Sequence, residues 1–126
     1  MRVCTLAWWP GKIPAGTSTD AITSMIDVLP TFAQLAGTSA PTDRKIDGVD
    51  LWPILVGNPA TPPRDSFFYF NGLNLEAVRS GPWKLRLAEG QLYHLGNDLA
   101  EAQDVAAQNP DQVKRLRDLA ESMPKW

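Results

Sequence analysis

Residues 75–95 read LEAVRSGPWKLRLAEGQLYHL and contain three short runs of strand-forming residues. The runs are Leu75–Arg79, Trp83–Leu87 and Gln91–Leu95. Short segments that contain glycine separate them, which is typical of an antiparallel meander with tight turns. A fourth run, the aromatic Phe67–Phe70, precedes the three. Together the four runs predict a four-stranded antiparallel sheet.

The middle run alternates strictly between apolar and charged residues. Its apolar residues are Trp83, Leu85 and Leu87, and its charged residues are Lys84 and Arg86. This alternation is the pattern of a strand with one buried face and one face in water. The apolar face of the sheet therefore needs a cover, and the charged side chains are expected to be solvated.

The C-terminal segment supplies the predicted cover as an amphipathic helix. Asn109 is the expected N-cap, Pro110 occupies the first helical position and Gln112 completes a capping box. The apolar stripe consists of Val113, Leu116, Leu119, Ala120 and Met123. Residues 98–107 are expected to be partly helical. The predicted fold class is therefore α+β, with a four-stranded antiparallel sheet covered by a C-terminal helix.

The chain begins with MRVCTLAWW, a nearly continuous apolar run at residues 1–9 that stops at Pro10-Gly11. Such a run is typical of a strand buried on both faces. A domain seldom begins inside a central strand, so this run predicts either an edge strand or a chain that has lost its preceding part.

Ser24–Ala36 is predicted to form a helix that ends at Gly37. Its apolar stripe consists of Met25, Ile26, Leu29, Phe32, Ala33 and Ala36. Pro30 leaves two possible starts. With Ser24 as the cap, the proline falls in the second turn and kinks the helix, whereas with Asp27 as the cap it falls in the first turn, where no backbone donor is needed.

A short helix is predicted at Asp50–Gly57, with Asp50 as its cap and Pro53 in its first turn, and the proline-rich Asn58–Asp65 follows as a linker. These boundaries divide the chain in two. Residues 1–58, with the strand and both helices, are expected to form the end of an α/β domain, and residues 59–126 a small subdomain of sheet and helix.

Composition excludes some classes of partner. The chain has 12 Lys and Arg against 14 Asp and Glu, a net charge of −2, and no basic run, so neither nucleic acid nor an anionic membrane is an expected partner. It has no apolar run of about 18 residues and no leader, so the sequence indicates neither membrane insertion nor export. The single cysteine cannot form an internal disulfide.

Residues able to support catalysis or metal binding are few. Cys4 lies in an apolar run and is expected to be buried and inert. His94 has no second His or Cys at ligand spacing, which disfavours a metal site. The acids form two groups, Asp43/Asp47/Asp50 and Asp98/Glu101/Asp104. They lack calcium-loop spacing and are expected to serve turns and caps. The residues alone thus predict no catalytic, cofactor or metal site in this chain.

Six segments in order carry a resemblance to a known family. They read AWWPGKIPAG, SMIDVLPTFAQLAG, IDGVDLWPILVG, FFYF, AVRSGPWKL and LYHLGND, and the amphipathic helix follows them. Each segment is short, but their order over nearly the whole chain resembles the C-terminal third of the type I sulfatases, the arylsulfatase-like enzymes. The resemblance implies a catalytic α/β domain that precedes a subdomain of four antiparallel strands and one helix.

The resemblance also implies groups that this chain lacks. Type I sulfatases hydrolyse sulfate esters with a formylglycine, made from Cys or Ser in a C/S-x-P-x-R motif, beside a Ca²⁺ ion. Both are expected in an N-terminal part upstream of residue 1, because Cys4 has neither Pro at position 6 nor Arg at position 8. The parent enzyme is expected to act on a sulfated glycan or an aryl sulfate, and this chain alone is predicted to be inactive. Members of the family are often periplasmic, extracellular or lysosomal.

A free-standing binding or interaction module derived from the same subdomain is the alternative hypothesis. An upstream reading frame that carries C/S-x-P-x-R favours the sulfatase, and a stop codon directly before Met1 favours the module. If residues 1–9 normally pair within a larger sheet, the isolated chain is expected to self-associate through this strand.

Asn71 and Asn74, in the loop Asn71-Gly72-Leu73-Asn74, are the expected substrate-facing residues. The family resemblance implies that loops of the small subdomain reach the substrate cleft. Asparagine amides both donate to and accept from sugar hydroxyls, although Asn-Gly is also ordinary turn chemistry.

Overall fold

The computed structural model describes residues 3–58 and 64–123. Most of the predicted linker and the first two residues of the predicted first strand lie outside these ranges. The chain divides into two units, Met1–Arg64 and Asp65–Trp126. No helix among the described residues is both long enough and apolar enough to cross a bilayer.

The first residues of the first unit form no strand. Val3, Leu6 and Trp8 are 78%, 97% and 86% exposed, and residues 3–9 have no regular secondary structure. A strand is stable only when neighbouring strands take up its backbone N–H and C=O groups, and the described part of the first unit contains no other strand. The buried strand predicted at residues 1–9 is therefore absent from residues 3–9, and Met1 and Arg2 lie outside the described residues.

A 3₁₀ turn at Met25–Asp27 leads directly into helix α1, Val28–Leu35. Each of the two predicted cap residues, Ser24 and Asp27, is the N-cap of one of these two elements. Ser24 precedes the 3₁₀ turn and its N–H donates to Asp27 Oδ2 at 2.7 Å, and Asp27 itself directly precedes the α-helix. Pro30 consequently lies in the first turn of α1, where its missing N–H removes no hydrogen bond.

The short helix α2 spans Trp52–Leu55. Pro53 lies in its first turn, as the sequence predicted, but the N-cap is Leu51 and not the predicted Asp50. Asp50 Oδ1 nevertheless accepts the N–H of Trp52 at 2.9 Å. Gly37 and Gly57 follow the two helices with φ angles of +74° and +82°, which are left-handed conformations that stop a helix.

The second unit contains the four predicted strands. They are β1 (Ser66–Asn71), β2 (Asn74–Ser80), β3 (Trp83–Arg86) and β4 (Leu92–His94). Each strand pairs antiparallel with the next in the order β1-β2-β3-β4, and a register shift between Tyr69 and Phe70 bends β1. The predicted meander is confirmed.

Helix α3, Pro110–Glu121, contributes to the core beside one face of this sheet. The centre of the core consists of Val78, Leu85, Leu92 and Leu116, each of which is fully buried. The partly buried Val113, Leu119 and Ala120 extend the contact from the helix. The predicted α+β fold, with a C-terminal helix as the cover of the sheet, is thereby confirmed.

Asn109 is the N-cap of α3 and Pro110 is its first residue, as predicted, but the predicted capping box does not form. The side-chain amide of Asn109 donates to Val105 O at 3.0 Å, and Gln112 Oε1 accepts a bond from Arg115 Nε at 3.1 Å. Residues 98–107 form turns and no helix. Aspartate side chains within this segment accept backbone N–H groups and so compete with helical hydrogen bonds.

Candidate functional site

The turn between β1 and β2 holds the two predicted substrate-facing residues. Asn71 and Asn74 are register partners, and Gly72, with a φ of +60°, and Leu73 lie between them. Both asparagines are exposed, and Leu73 is 95% exposed. Asn71 Nδ2 donates to Glu76 Oε1 at 2.9 Å, which orients the amide. The turn thus presents two amides and one apolar side chain at its tip, a combination that can contact hydroxyl groups and a sugar ring.

The two residues considered as nucleophile and metal ligand lie in different units. Cys4 is exposed, so the prediction that it is buried is wrong, because the run around it forms no strand that could bury it. The ring of His94 lies edge-on to the Trp83 ring, with centroids 4.6 Å apart. Its Nδ1 atom is buried and has no hydrogen-bond partner among the described residues. Within the part of the chain that the structure describes, neither side chain is hydrogen-bonded to a base or an acid that would activate it.

Two acids of the second group, Asp98 and Asp104, accept backbone N–H groups. Asp98 Oδ2 accepts the N–H of Gln103 at 2.8 Å, and this bond is the main reason that the pKa of Asp98 is lowered. Asp104 Oδ1 accepts the N–H groups of Leu92 and Ala106 at 3.0 and 2.9 Å. Within residues 3–58 and 64–123, no group of three or more His, Cys, Asp or Glu is placed to hold a metal ion.

A buried carboxylate ties three segments of the first unit together. Asp27 is fully buried, and its Oδ1 accepts the N–H of Val49 at 3.0 Å while Oδ2 accepts that of Ser24 at 2.7 Å. The guanidinium of Arg64 forms an ion pair with Oδ1, and the Arg64 side chain is 12% exposed. A buried charge is tolerated only when it is paired and hydrogen-bonded, and Asp27 meets both conditions.

Thr31, one turn along α1, extends this arrangement. It is 3% exposed, and its Oγ1 donates to Asp27 O at 2.6 Å and accepts the N–H of Leu51 at 2.9 Å. A Cβ at Gly48 would lie 2.8 Å from the carbonyl carbon of Ile26, so only glycine fits there. We call Asp27, Thr31 and Arg64 the Asp27 cluster.

A second buried ion pair lies in the sheet unit. Lys84 was expected to be solvated, but it is 8% exposed, which corrects that prediction. Its Nζ donates to Glu101 Oε1 at 2.6 Å and lies 5.0 Å from the centroid of the Tyr69 ring. Glu101 has a φ of +55°, a left-handed conformation that is unusual for a residue with a side chain. The pair therefore fastens a constrained loop to the sheet.

The sequence interpretation missed both buried ion pairs because each joins residues far apart in the chain. Arg64 is 37 residues from Asp27, and Glu101 is 17 residues from Lys84. One signal was available. Asp27 and Thr31 are four residues apart, which places two polar side chains on the same side of an otherwise apolar helix. Such spacing predicts a buried polar cluster once the helix is known.

Comparison with known proteins identifies similar sequences over nearly the whole chain. Residues 1–124 match the family described as N-sulphoglucosamine sulphohydrolase, C-terminal. The chain is 43% identical over 84 residues to N-acetylgalactosamine-6-sulfatase of Canis lupus familiaris, an overlap of 67% of this chain and 16% of that protein. It is 33% identical over 129 residues to arylsulfatase G of the same species, covering 98% of this chain and 24% of that protein. The chain thus spans at most about a quarter of these relatives.

Solved structures show the same relation. The crystal structure of Ps i-CgsB superposes with a TM-score of 0.71 and 28% identity over 90% of this chain and 27% of that chain. The phosphonate monoester hydrolase of Agrobacterium radiobacter superposes with a TM-score of 0.54 and 26% identity over 85% of this chain and 25% of that chain.

Proposed function

Since this chain belongs to the N-sulphoglucosamine sulphohydrolase C-terminal family and corresponds to the C-terminal part of a sulfatase, we propose that it serves in the hydrolysis of sulfate esters. The reacting groups are supplied by residues outside this chain. The observation that carries the proposal is the family match over residues 1–124, together with a fold similar to that of Ps i-CgsB.

The packing of the first unit supports a role within a larger enzyme. Apolar side chains of α1 and of the turn before it face solvent, among them Met25 at 83%, Leu29 at 52% and Phe32 at 65% exposure. The preceding run adds Leu6 and Trp8. Large apolar side chains grouped in this way usually contact another protein surface. We assign that surface to the remainder of the sulfatase.

The chain's own residues do not fit the catalytic groups of the family. Its 126 residues contain no C/S-x-P-x-R motif. Proline stands two residues after Ser39, Ser80 and Ser122, but the position that requires arginine holds Asp43, Lys84 and Trp126, respectively. The described residues also lack an acidic cluster for Ca²⁺. We therefore place both formylglycine and Ca²⁺ in the part of the sulfatase outside this chain.

The purified chain is expected to hydrolyse no aryl sulfate, with or without added Ca²⁺, because it encodes neither nucleophile nor ligand cluster. The measurement is the release of 4-nitrophenol from 4-nitrophenyl sulfate. Cys4→Ala is the matched control. Turnover that survives this change would contradict the assignment of catalysis to residues elsewhere, and turnover that it abolishes would identify Cys4 as a nucleophile.

A chimaera tests whether this chain can serve as the C-terminal part of an active sulfatase. In arylsulfatase G of Canis lupus familiaris, the C-terminal segment that aligns with this chain is replaced by residues 1–126. We expect the chimaera to hydrolyse 4-nitrophenyl sulfate and the shortened enzyme without this segment to be inactive. A folded chimaera without activity would favour the alternative, a free-standing binding module.

We further propose that the substrate is a sulfated glycan and that the β1–β2 turn contacts it. Two of the similar proteins carry sugar terms in their names, N-acetylgalactosamine-6-sulfatase and the Ps i-CgsB complex with k-i-k-neocarrahexaose. In this chain the support is the exposed tip, where the amides of Asn71 and Asn74 flank Leu73. Loops held on a rigid sheet commonly provide such contacts.

In the chimaera, Asn71→Ala and Asn74→Ala are each expected to lower kcat/KM for the sulfated glycan by about tenfold, the order of one lost hydrogen bond. The rate with 4-nitrophenyl sulfate should stay unchanged, since a small substrate does not reach the tip. Glu76→Ala is the control that frees the Asn71 amide without removing it. Equal effects on both substrates, or none on either, would assign the turn to folding alone.

A further inference from the structure

The Asp27 cluster holds two points of the first unit, the backbone at Leu51 and the side chain of Arg64. Thr31 accepts the N–H of Leu51, and Asp27 binds the side chain of Arg64. Asp27 and Thr31 lie one helical turn apart, so the start of α1 holds residue 51 and residue 64 at neighbouring points. Arg64 is the last residue of the first unit.

We propose that Asp27 is a positioning residue that clamps Arg64 and thereby fixes the point from which the chain enters the sheet unit. The carboxylate is fully buried, so its charge needs the guanidinium in place. The N–H groups of Ser24 and Val49 also donate to this carboxylate and hold it beside Arg64. The clamp therefore opens only when a buried charge loses its partner, which makes opening rare.

The consequence for catalysis rests on the proposed function. When Arg64 is released, the chain loses this fixed point directly before Asp65. In the sulfatase, we expect that loss to weaken binding of a large substrate that contacts the β1–β2 turn, while a small aryl sulfate depends on it less. Loss of the clamp is thus expected to raise KM for the glycan by a larger factor than the factor by which it lowers kcat for the aryl sulfate.

Trypsin reports the clamp directly, because it must take the Arg64 side chain into its own pocket to cut the Arg64–Asp65 bond. In the native 126-residue chain, Arg64 should be cut much more slowly than Arg44, whose side chain is 70% exposed. Each rate is divided by its rate in the urea-unfolded chain, which removes the effect of local sequence. Mass spectrometry of timed digests identifies each bond.

Asp27→Asn keeps the size and the acceptor oxygen of the side chain but removes the charge that holds Arg64. Cleavage at Arg64 is expected to become on the order of a hundredfold faster, since proteolysis follows the population of the open form. Asp43→Asn is the matched control, because it removes the carboxylate of the exposed Asp43–Arg44 pair and should leave cleavage at Arg64 unchanged. Arg64→Lys keeps a charge and a trypsin site but loses the guanidinium, so position 64 should keep part of its protection.

Thr31→Val separates the clamp from the general stability of the first unit. It removes the acceptor for Leu51 but leaves the Asp27–Arg64 pair, so Arg64 should stay protected. Equal acceleration by Thr31→Val and Asp27→Asn would overturn the proposal in favour of a purely structural cluster. If Asp27→Asn does not fold, the unsubstituted chain decides, because an Arg64 cut as fast as Arg44 also overturns it.

The proteolysis does not depend on enzyme activity, so it separates this proposal from the proposed function. An inactive chimaera would reject the sulfatase role and leave the clamp to be judged by cleavage alone. In an active chimaera, Asp27→Asn should raise KM for the glycan by about tenfold, and Arg64→Lys should show a smaller rise. Equal losses of kcat on both substrates would contradict the positioning role.

Discussion

Leu85→Ala is expected to lower the free energy of unfolding of the sheet unit by about 2 to 5 kcal/mol. Leu85 lies in β3, is fully buried and belongs to the core cluster with Leu116 of α3. Its truncation removes buried apolar atoms and leaves a cavity that a close-packed core cannot fill. Hydrogen exchange of the β2 and β3 amides measures the change, since these amides exchange through opening of the sheet.

Leu73→Ala makes the same chemical change at a side chain that is 95% exposed. Its effect should stay within about 0.5 kcal/mol, as for most surface substitutions. Because both variants replace leucine by alanine, the difference between their losses of stability measures the effect of burial. Similar losses at Leu73 and Leu85 would mean that the predicted core, formed by the apolar face of β3, does not carry the stability of this unit.

The second large effect is expected for Lys84→Met, which leaves the Glu101 carboxylate without its partner. The two side chains are 10% and 19% exposed, so the remaining charge is largely shielded from water. Removal of one member of a buried pair typically costs about 3 to 5 kcal/mol. Urea unfolding followed by hydrogen exchange in β3 and β4 measures the loss in the sheet unit.

Two further variants test the reason for this loss. Lys84→Met combined with Glu101→Gln removes both charges, so most of the lost stability should return. Lys114→Met removes a lysine from an ion pair of the same 2.6 Å length, but the Lys114 and Asp118 side chains are 77% and 58% exposed. Water screens that pair, so its loss should leave the unfolding midpoint unchanged. A double variant as unstable as Lys84→Met would show that packing, not charge, controls this site.

The sheet and the helix that covers it could be predicted because both follow from patterns between residues close in sequence. Alternation in Trp83–Leu87 and glycine-containing turns identified the strands, and helical spacing identified α3. The burial of Lys84 could not be predicted from the same pattern, since alternation assumes that a charged side chain faces water. Its partner Glu101 lies in a loop where Asp98 Oδ2 accepts the N–H of Gln103, and neither contact has a signature in the alternation of β3.

Residues 3–9, in contrast to the sheet, were predicted wrongly. Their apolar character predicted a buried strand, yet Leu6 and Trp8 are almost fully exposed. An apolar composition indicates that a segment is stable only when buried. A strand also needs a neighbouring strand that hydrogen-bonds with its backbone N–H and C=O groups. The pattern therefore indicated the environment that this segment requires, and the described part of the chain does not supply it.

Among the candidate sites, the sequence could locate the Asn71–Asn74 turn because turn chemistry is local. It could not locate the Asp27 cluster. Asp27 was interpreted as a helix cap, and it does accept the N–H of Ser24, but the same carboxylate also binds Val49 and Arg64. One side chain can serve a local and a distant role together, and only the local role has a sequence signature.

The meander order of the sheet has a consequence for how quickly the sheet unit folds. Every strand pairs with its immediate successor, and only Gly72 and Leu73 separate β1 from β2. Closing such short loops costs little chain entropy, and a low average separation between contacting residues favours rapid folding. The sheet can therefore form hairpin by hairpin as the chain leaves the ribosome. Because α3 follows the sheet in the chain, we expect its docking to come last, when Leu116 completes the core with Val78, Leu85 and Leu92.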